Sequence, residues 1–229
     1  VLRICSVDSI ERDPVRFMRA FRFVSQYNLS VEEKTKNLIK QSIDLYSTSK
    51  RERARNELKQ LLQNDVEMIE TSIRKVFPDF VIPEKFKVKI AENYKIFCTK
   101  ISKDMDYLEL LKAFLIYKKS KEFVYGLTDR EMLIIKYLET GINEDFDEFF
   151  EQYYSKRNKR AEFMLNVVAN LPSNEIEKFL EITEQFNMVK LEENEVSDFA
   201  KLQGLKIEEA YKYWLKEKLK PVYEDIYNS

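Results

Sequence analysis

Histidine is absent from this chain of 229 residues, and glycine and cysteine are scarce. Without histidine, the chain lacks the commonest general base and the commonest ligand of transition metals. Its three glycines form none of the loops that cradle phosphate groups in P-loop or dinucleotide-binding proteins. Cys5 and Cys98 show neither metal-binding nor redox spacing, so we expect two buried, structural thiols.

Long apolar segments are also missing. No run of about 18 apolar residues occurs, and the N-terminal residues lack the charged and apolar regions of a signal peptide. We therefore expect a soluble, cytoplasmic protein that makes no membrane contact. The 39 basic and 40 acidic residues give a net charge of -1, which neither requires nor excludes a polyanionic partner. Any surface for nucleic acid must come from a local cluster of charge.

The pattern of apolar residues predicts an all-α protein. These residues recur three and four positions apart, and only three glycines and five prolines interrupt them. We expect an elongated array of about ten helices. We also predict three subdomains, which span residues 1–65, 66–141 and 142–229.

Several helix starts can be predicted from local signals. Asp13 precedes Pro14 and is expected to act as the N-cap of a helix that ends near Tyr27. Ser30 with Glu33, and Thr128 with Glu131, match the spacing of a capping box. A further helix is predicted from Pro83 to Ile101.

The most informative segment is Ser9–Phe23, which reads SIERDPVRFMRAFRF. It resembles the E-D-P-x-R-x-x-R-A-x-R-F segment that joins the catalytic head to the neck in bacterial-type tRNA nucleotidyltransferases and poly(A) polymerases. The resemblance implies that Asp13 and Arg16 hydrogen-bond the Watson–Crick edge of an incoming CTP or ATP. It also implies that Arg19 and Arg22 support a phosphate or the pocket.

Two observations keep other interpretations of this segment open. An N-cap aspartate paired with a surface arginine is common in helices of every function. The family's glutamate before the aspartate is Arg12 in this chain, which reverses a charge beside the expected template pair.

A second segment, Glu52–Leu58, reads ERARNEL and is similar to the family's E-R-I-x-x-E-L neck helix. The similarity implies that Glu52 and Arg53 orient the nucleotide pocket through ionic hydrogen bonds. A charged surface helix is the alternative interpretation.

The metal-binding part of this family has no counterpart here. The resemblance implies that a D-x-D pair in the catalytic head holds Mg²⁺. Two D-x-D strings occur, at residues 104–106 and 145–147, but both lie in a helical context and are predicted to be solvated carboxylates. We therefore expect no catalytic residue, cofactor or metal in this segment. It is expected to be part of a longer enzyme, inactive without the missing N-terminal catalytic head domain.

Basic residues form local clusters that could follow the phosphates of a folded RNA. The candidate tRNA contacts are Lys50, Arg51, Arg55, Lys118, Lys119, Lys156, Arg157, Lys159 and Arg160. Because acidic residues are interleaved with these clusters, solvated helix faces remain an equal alternative.

Taken together, the resemblance implies the neck, body and tail of a tRNA 3′-end nucleotidyltransferase that adds CCA, CC or A. Its expected partners are CTP, ATP, and the acceptor end and elbow of tRNA. The alternative is a noncatalytic helical RNA-binding or interaction module derived from that family. A helical scaffold that binds only proteins is a third possibility.

Overall fold

The computed structural model describes residues 1–6, 8–83, 93–94, 105–143, 145–156, 159–171, 173–189 and 193–227. These residues form 13 α-helices and one short 3₁₀ helix, Glu122–Val124. Their β structure is limited to an isolated parallel bridge between Leu2 and Val31. The prediction of an all-α protein is therefore confirmed. The α-helices are α1 Ser9–Arg12, α2 Arg16–Tyr27, α3 Glu33–Gln41, α4 Ile43–Tyr46, α5 Arg51–Leu62, α6 Val66–Arg74, α7 Met105–Tyr117, α8 Asp129–Leu138, α9 Phe146–Ser155, α10 Arg160–Asn170, α11 Ser173–Met188, α12 Glu193–Gln203 and α13 Ile207–Tyr227.

The observed helix boundaries confirm one of the two predicted capping boxes and contradict the other. Thr128 and Glu131 form the predicted capping box at the start of α8. The capping box predicted for Ser30 is wrong, because the Ser30 carbonyl accepts a hydrogen bond from the Leu2 amide and α3 begins only at Glu33. The helix predicted from Pro83 to Ile101 falls almost entirely outside the described residues.

The described chain divides into two compact units. Unit 1 comprises Val1–Ala91 and Lys103–Glu139, and unit 2 comprises Glu92–Ser102 and Thr140–Ser229. The division into three subdomains made from the sequence stays a prediction.

Unit 1 is built around an aromatic cluster. The rings of Phe17 and Phe21 on α2 lie 5.3 and 5.4 Å from the ring of Phe123 in the 3₁₀ helix. Tyr46 of α4 packs against Phe17 at 5.3 Å. Phe17 and Phe21 are fully buried, as is Val24 to within a few per cent, so this stripe fixes which face of α2 points inward.

Unit 2 has its own aromatic core. The ring of Phe149 on α9 lies 5.3 Å from the rings of both Phe179 and Tyr223, and 5.6 Å from Phe163. Trp214 on α13 is also buried, and its indole N–H donates to Glu195. Each unit therefore has the hydrophobic core that a separate folding unit needs.

Two further expectations can be compared with the structure. Within the described residues, every helix is too short or too polar to span a lipid bilayer. The expectation of a buried structural thiol at Cys5 is wrong, because its side chain lies on the surface in the N-terminal segment. Cys98 lies outside the described residues.

Candidate functional site

The start of α2 places Asp13 beside arginine side chains. Asp13 was expected to cap this helix, but its carboxylate accepts no capping hydrogen bond, and α2 begins at Arg16. The carboxylate lies 3.6 Å from Nε of Arg16 instead. The N-cap prediction is wrong because tertiary guanidinium groups, which carry a full charge, replace the backbone amides as partners of this carboxylate.

Arg53 on α5 also contacts the carboxylate of Asp13. Its Nη1 lies 3.1 Å from Oδ1 of Asp13, and its Nη2 donates to Oδ2 at 3.1 Å. Two parallel contacts of this kind fix the orientation of a carboxylate as well as its position. The side chain of Asp13 is 20% exposed and that of Arg16 is 50% exposed, so both groups are accessible from solvent.

One turn further along both helices, Glu57 joins α5 to α2. Its Oε1 accepts from Nε and Nη2 of Arg19 at 2.8 and 2.6 Å, and its Oε2 accepts from Nε of Arg22 at 2.7 Å. The side chain of Glu57 is only 9% exposed. Arg19 and Arg22, which were expected to support a phosphate or the pocket, therefore have an internal carboxylate as their shared partner.

Glu52 does not join these contacts. It lies exposed on α5 and lines a cavity of about 310 Å³ with Arg51, Arg55 and Asp129. Of the two side chains expected to orient the pocket, the structure brings Arg53, and not Glu52, to Asp13.

Arg51 and Arg55 connect α5 to the segment that leads into α8. Nε and Nη2 of Arg51 donate to the carbonyl of Leu127, and its Nη1 lies 2.8 Å from Asp129. Arg55 donates to Glu131 at 2.6 Å. Both arginines were expected to contact tRNA, and both are engaged within unit 1.

The remaining basic residues of unit 1 lie at its surface. Lys50 precedes α5, and Lys118 and Lys119 follow α7. All three side chains are exposed. The ammonium of Lys118 lies 5.1 Å from the ring centroid of Phe114, within the range of a cation–π contact.

In unit 2, two lysines of the basic cluster lie beside the buried carboxylate of Glu162. Nζ of Lys156 lies 3.1 Å from Oε2 of Glu162, and Nζ of Lys159 lies 4.0 Å from Oε1. Arg157 lies outside the described residues. Arg160 begins α10.

Asp145, in one of the two D-x-D strings, has a structural role. Its side chain accepts from the backbone amides of Asp147 and Glu148 and so caps α9. Asp147 pairs with Lys216 at 3.0 Å. In the other string, Asp104 lies outside the described residues.

Arg12, the residue before Asp13, forms an ion pair with Asp8. Nη2 of Arg12 donates to Oδ2 of Asp8 at 3.0 Å, one turn earlier in the chain. The side chain is 79% exposed. The contacts among Asp13, Arg16 and Arg53 are present beside this ion pair.

No role was predicted for Glu57 from the sequence. Two signals were available: Glu57 is the second glutamate of the segment that resembles E-R-I-x-x-E-L, and it lies four residues after Arg53 on the same face of α5. The pairing with Arg19 and Arg22 spans more than 30 residues of sequence, so helical spacing alone could not reveal it.

Comparison with known proteins bears on the fold. No family model matches the sequence, and no match to a curated protein was found. Among solved structures, the Thermotoga maritima CCA-adding enzyme complexed with tRNA is similar over 99% of this chain and 63% of its own, with a TM-score of 0.51 and 16% identity. The chain shares its fold with a CCA-adding enzyme. The resemblance that was drawn from Ser9–Phe23 is confirmed at the level of the fold.

Two other solved structures are similar to this chain. A tRNA-processing enzyme complex matches 95% of this chain and 65% of its own, with a TM-score of 0.49 and 20% identity. A tRNA nucleotidyltransferase complexed with a primer tRNA and an incoming ATP analog matches 82% of this chain and 63% of its own, with a TM-score of 0.46 and 19% identity. Like the CCA-adding enzyme, each of these chains extends beyond the matched region, and this chain spans less than two thirds of their length.

Proposed function

We propose that this chain is the nucleotide-selecting and tRNA-binding part of a tRNA 3′-end nucleotidyltransferase that uses CTP and ATP to add CCA, CC or A. The proposal depends above all on one observation: Asp13 and Arg16 lie together at the start of α2, accessible from solvent, with Asp13 held by both guanidinium nitrogens of Arg53. The shared fold with a CCA-adding enzyme is consistent with this role.

The pair of Asp13 and Arg16 suits cytosine and adenine. Both bases present an exocyclic amine next to a ring nitrogen that accepts a hydrogen bond. An aspartate accepts from the amine, while an arginine donates to the ring nitrogen. Guanine and uracil present a carbonyl next to an N–H, so their carbonyl would face the carboxylate of Asp13. The pair therefore favours the two bases with the amine.

The contact with Arg53 leaves Asp13 able to accept further hydrogen bonds. A carboxylate has about four lone-pair sites, and the two contacts with Arg53 use two of them. Arg16 approaches Asp13 through Nε, which leaves its two terminal nitrogens available to donate to a base. In this arrangement Arg53 orients the acceptor, and Arg16 supplies the donor.

We assign the transfer chemistry to a separate catalytic domain outside these residues. Such a domain would hold Mg²⁺, which activates the attacking hydroxyl and stabilises the leaving group in phosphoryl transfer. In this chain, Asp145 serves as a helix cap and Asp147 pairs with Lys216. Under this proposal the segment is inactive alone. The proposed location of the assembled enzyme is the cytoplasm.

For tRNA, we propose that exposed lysines make the phosphate contacts. Lys50, Lys118 and Lys119 are exposed in unit 1, and Lys159 in unit 2 has a side chain that is 64% exposed. Arg51 and Arg55 are weaker candidates because each is bound to unit 1 itself. Contacts of this type give affinity that falls steeply with salt.

A noncatalytic RNA-binding module is the second candidate. Arg12 favours it, because the segment of the resembled family has a glutamate at this position and the charge is therefore reversed beside Asp13. Such a module would bind tRNA without selecting a nucleotide. Loss of the Asp13 carboxylate should therefore impair nucleotide incorporation under the first candidate function and have no effect on tRNA binding under the second.

The test uses the chain joined to, or mixed with, a catalytic head domain, and it measures incorporation of CTP and ATP into tRNA. We expect Asp13→Ala and Arg16→Ala to reduce incorporation by at least about 100-fold, because a misplaced base is no longer aligned for transfer. tRNA binding should be unchanged. Normal incorporation with normal choice between nucleotides would contradict the proposal, and tRNA binding without any incorporation by the unsubstituted protein would favour the second candidate.

A further inference from the structure

A cavity of about 260 Å³ lies between the end of α2 and α6, within unit 1. Ser25 lines it from α2, and Met68 and Ser72 line it from α6. Ser25 comes nine residues after Arg16, about 14 Å further along α2. The cavity is therefore separate from the site at the start of α2.

The hydroxyl of Ser25 is buried and has no hydrogen-bond partner among the described residues. The residue is only 4% exposed. Three other buried hydroxyls, those of Ser42, Ser72 and Thr183, each donate to a backbone carbonyl three or four residues earlier. A buried hydroxyl without a partner costs free energy. A molecule bound in the cavity can supply the partner that Ser25 lacks.

The charged side chains at the cavity balance each other. Glu67 brings one negative charge and Lys75 one positive charge. The ammonium of Lys75 is already engaged, because it donates to Oδ1 of Asn28 and to the Leu29 carbonyl, each at 2.9 Å. A charged ligand would lose hydration here without gaining a dedicated counter-charge, so the cavity favours a neutral ligand.

Apolar side chains also line the cavity. Val24 is buried, and Met68 is 41% exposed beside the opening. A thioether adapts to the shape of a ligand and makes favourable contacts with aromatic rings. The volume lies just below the range of about 300–1,000 Å³ that is usual for ligand pockets, so the ligand must be small.

We infer that this cavity is a binding site for a small, free, neutral molecule that consists of an aromatic ring with a hydroxyl group. The ring packs against Val24 and Met68, and its hydroxyl forms a hydrogen bond with Oγ of Ser25. An apolar body fixed by a few convergent polar groups is the usual arrangement in small-molecule sites. Because the ligand contacts both helices in the folded state, its binding stabilises unit 1.

Two probes of similar shape test the inference on the chain alone. p-Cresol has the ring and the hydroxyl, whereas toluene has the ring without the hydroxyl. Each titration is followed through the backbone amides of Ser25, Met68 and Ser72 by ¹⁵N-resolved NMR. We expect p-cresol to shift these amides and to bind about 3- to 10-fold more tightly than toluene, which is the effect of one hydrogen bond. No shift with either probe, or equal affinity for the two, would overturn the inference.

The variant Ser25→Ala removes the hydroxyl with little change in shape. In this variant p-cresol should lose its advantage over toluene, while the affinity for toluene stays within about twofold. The matched control is Ser72→Ala, because Ser72 lines the same cavity but its hydroxyl already donates to the Ile69 carbonyl. The advantage of p-cresol should persist in the control. If Ser72→Ala removes it as Ser25→Ala does, the hydroxyl of Ser25 is not the group that recognises the ligand and the inference is wrong.

The variant Met68→Leu tests the preference for an aromatic ring. Leucine keeps the apolar bulk of Met68 but lacks its sulfur, so both probes should bind about 2- to 5-fold more weakly. The advantage of p-cresol over toluene should remain, since Ser25 is unchanged. Unaltered affinities in Met68→Leu would contradict the assignment of an aromatic ligand.

The same ring could also belong to a tyrosine of a partner protein. N-acetyltyrosinamide, in which the phenol is attached to peptide groups, distinguishes this source. We expect it to bind more weakly than p-cresol, because the attached groups find no room in a cavity of about 260 Å³. Tighter binding than that of p-cresol would assign the site to a protein partner and overturn the inference of a free molecule. None of these measurements uses the catalytic domain, so their outcome is independent of the proposed function.

Discussion

Two carboxylates of equal burial, one in each unit, are held in different ways. Glu57 in unit 1 and Glu162 in unit 2 both have side chains that are 9% exposed. Glu57 is bound by two arginines at 2.6 and 2.7 Å, whereas Glu162 is approached by two lysines at 3.1 and 4.0 Å. A guanidinium is planar with several fixed donors, while an ammonium is a point charge on a flexible stem. The comparison indicates that the arginines around Glu57 fix the orientation of its carboxylate in unit 1. The lysines beside Glu162 in unit 2 mainly neutralise its charge.

The largest expected difference is in stability. Glu57→Leu should lower the free energy of unfolding of unit 1 by about 3 kcal/mol or more, because it leaves the largely buried Arg22 without a counter-charge. Glu162→Leu should cost unit 2 only about 1 kcal/mol, because Lys159 is mostly exposed and the flexible stem of Lys156 lets its ammonium turn toward solvent. Hydrogen exchange of α5 amides reports on unit 1, and the fluorescence of Trp214, the chain's single tryptophan, reports on unit 2. Equal losses in the two units would contradict the comparison.

The units also differ in how closely their backbones approach at a glycine. A Cβ at Gly126 would lie 2.6 to 2.7 Å from backbone atoms of Ala54 and Arg55 in α5, whereas a Cβ at Gly204 in unit 2 would meet nothing within 4 Å. Gly126→Ala should therefore destabilise unit 1 by about 1–3 kcal/mol, since helix backbone cannot move aside as a side chain can. Thermal unfolding measures the loss.

Gly204→Asn is the control for this substitution. Gly204 has a φ of 64°, a left-handed conformation that asparagine tolerates better than other side chains. We expect a loss of less than about 1 kcal/mol. If Gly204→Asn proved more harmful than Gly126→Ala, close backbone packing would not distinguish the units.

Alkaline pH should lower the stability of unit 1 through ionisation of Tyr46. The hydroxyl of Tyr46 donates to the Ala54 carbonyl of α5 at 3.3 Å. Burial raises the pKa of Tyr46 well above its ordinary value of 10.0, and the negative charge of Glu57 adds to the effect. The folded state therefore retains the phenolic proton at pH values where the unfolded state loses it. This contribution to stability is complete below pH 10 and falls by about 1.4 kcal/mol per pH unit above it.

The variant Tyr46→Phe isolates this term. At neutral pH it should be less stable than the unsubstituted chain by about 1 kcal/mol, because one hydrogen bond is lost. Above pH 10 the difference should shrink, since phenylalanine does not ionise. Denaturant unfolding at pH 8, 10 and 11 measures it, and a difference that stays constant across this range would show that Tyr46 does not titrate as described.

The smallest effect on stability is expected for the partly exposed ion pair between Lys212 and Glu151 in unit 2. Nζ of Lys212 lies 2.6 Å from Glu151 and 5.6 Å from the ring centroid of Tyr154. Lys212→Ala should change the stability of unit 2 by less than about 1 kcal/mol, because solvent screens exposed pairs. A loss as large as that of Glu57→Leu, measured by Trp214 fluorescence, would mean that lysine pairs also fix the geometry of unit 2.

The features that could be predicted from the sequence are those set by nearby residues. The capping box of Thr128 and Glu131 depends on four consecutive positions, and the buried stripe of α2 depends on helical periodicity, so both were predictable. The proximity of Asp13 and Arg16 follows from their spacing of three residues.

Features that depend on tertiary contacts could not be predicted in this way. Asp13 was expected to cap α2, but Arg53, 40 residues away, binds its carboxylate. Arg51 and Arg55 have partners 76 residues away in the segment around α8, which local sequence could not reveal. Their contact with tRNA stays a prediction. Glu57 went unassigned for the same reason, because its role exists only once α2 and α5 are packed together.

The central claim is that the carboxylate of Asp13 accepts from the exocyclic amine of a base. Asp13→Asn tests it most directly, since an amide of the same shape can either accept from the amine of cytosine or donate to the carbonyl of uracil. With the catalytic domain supplied, the ratio of CTP to UTP incorporation should be high in the unsubstituted protein and should fall at least about tenfold in Asp13→Asn. An unchanged ratio would contradict the claim.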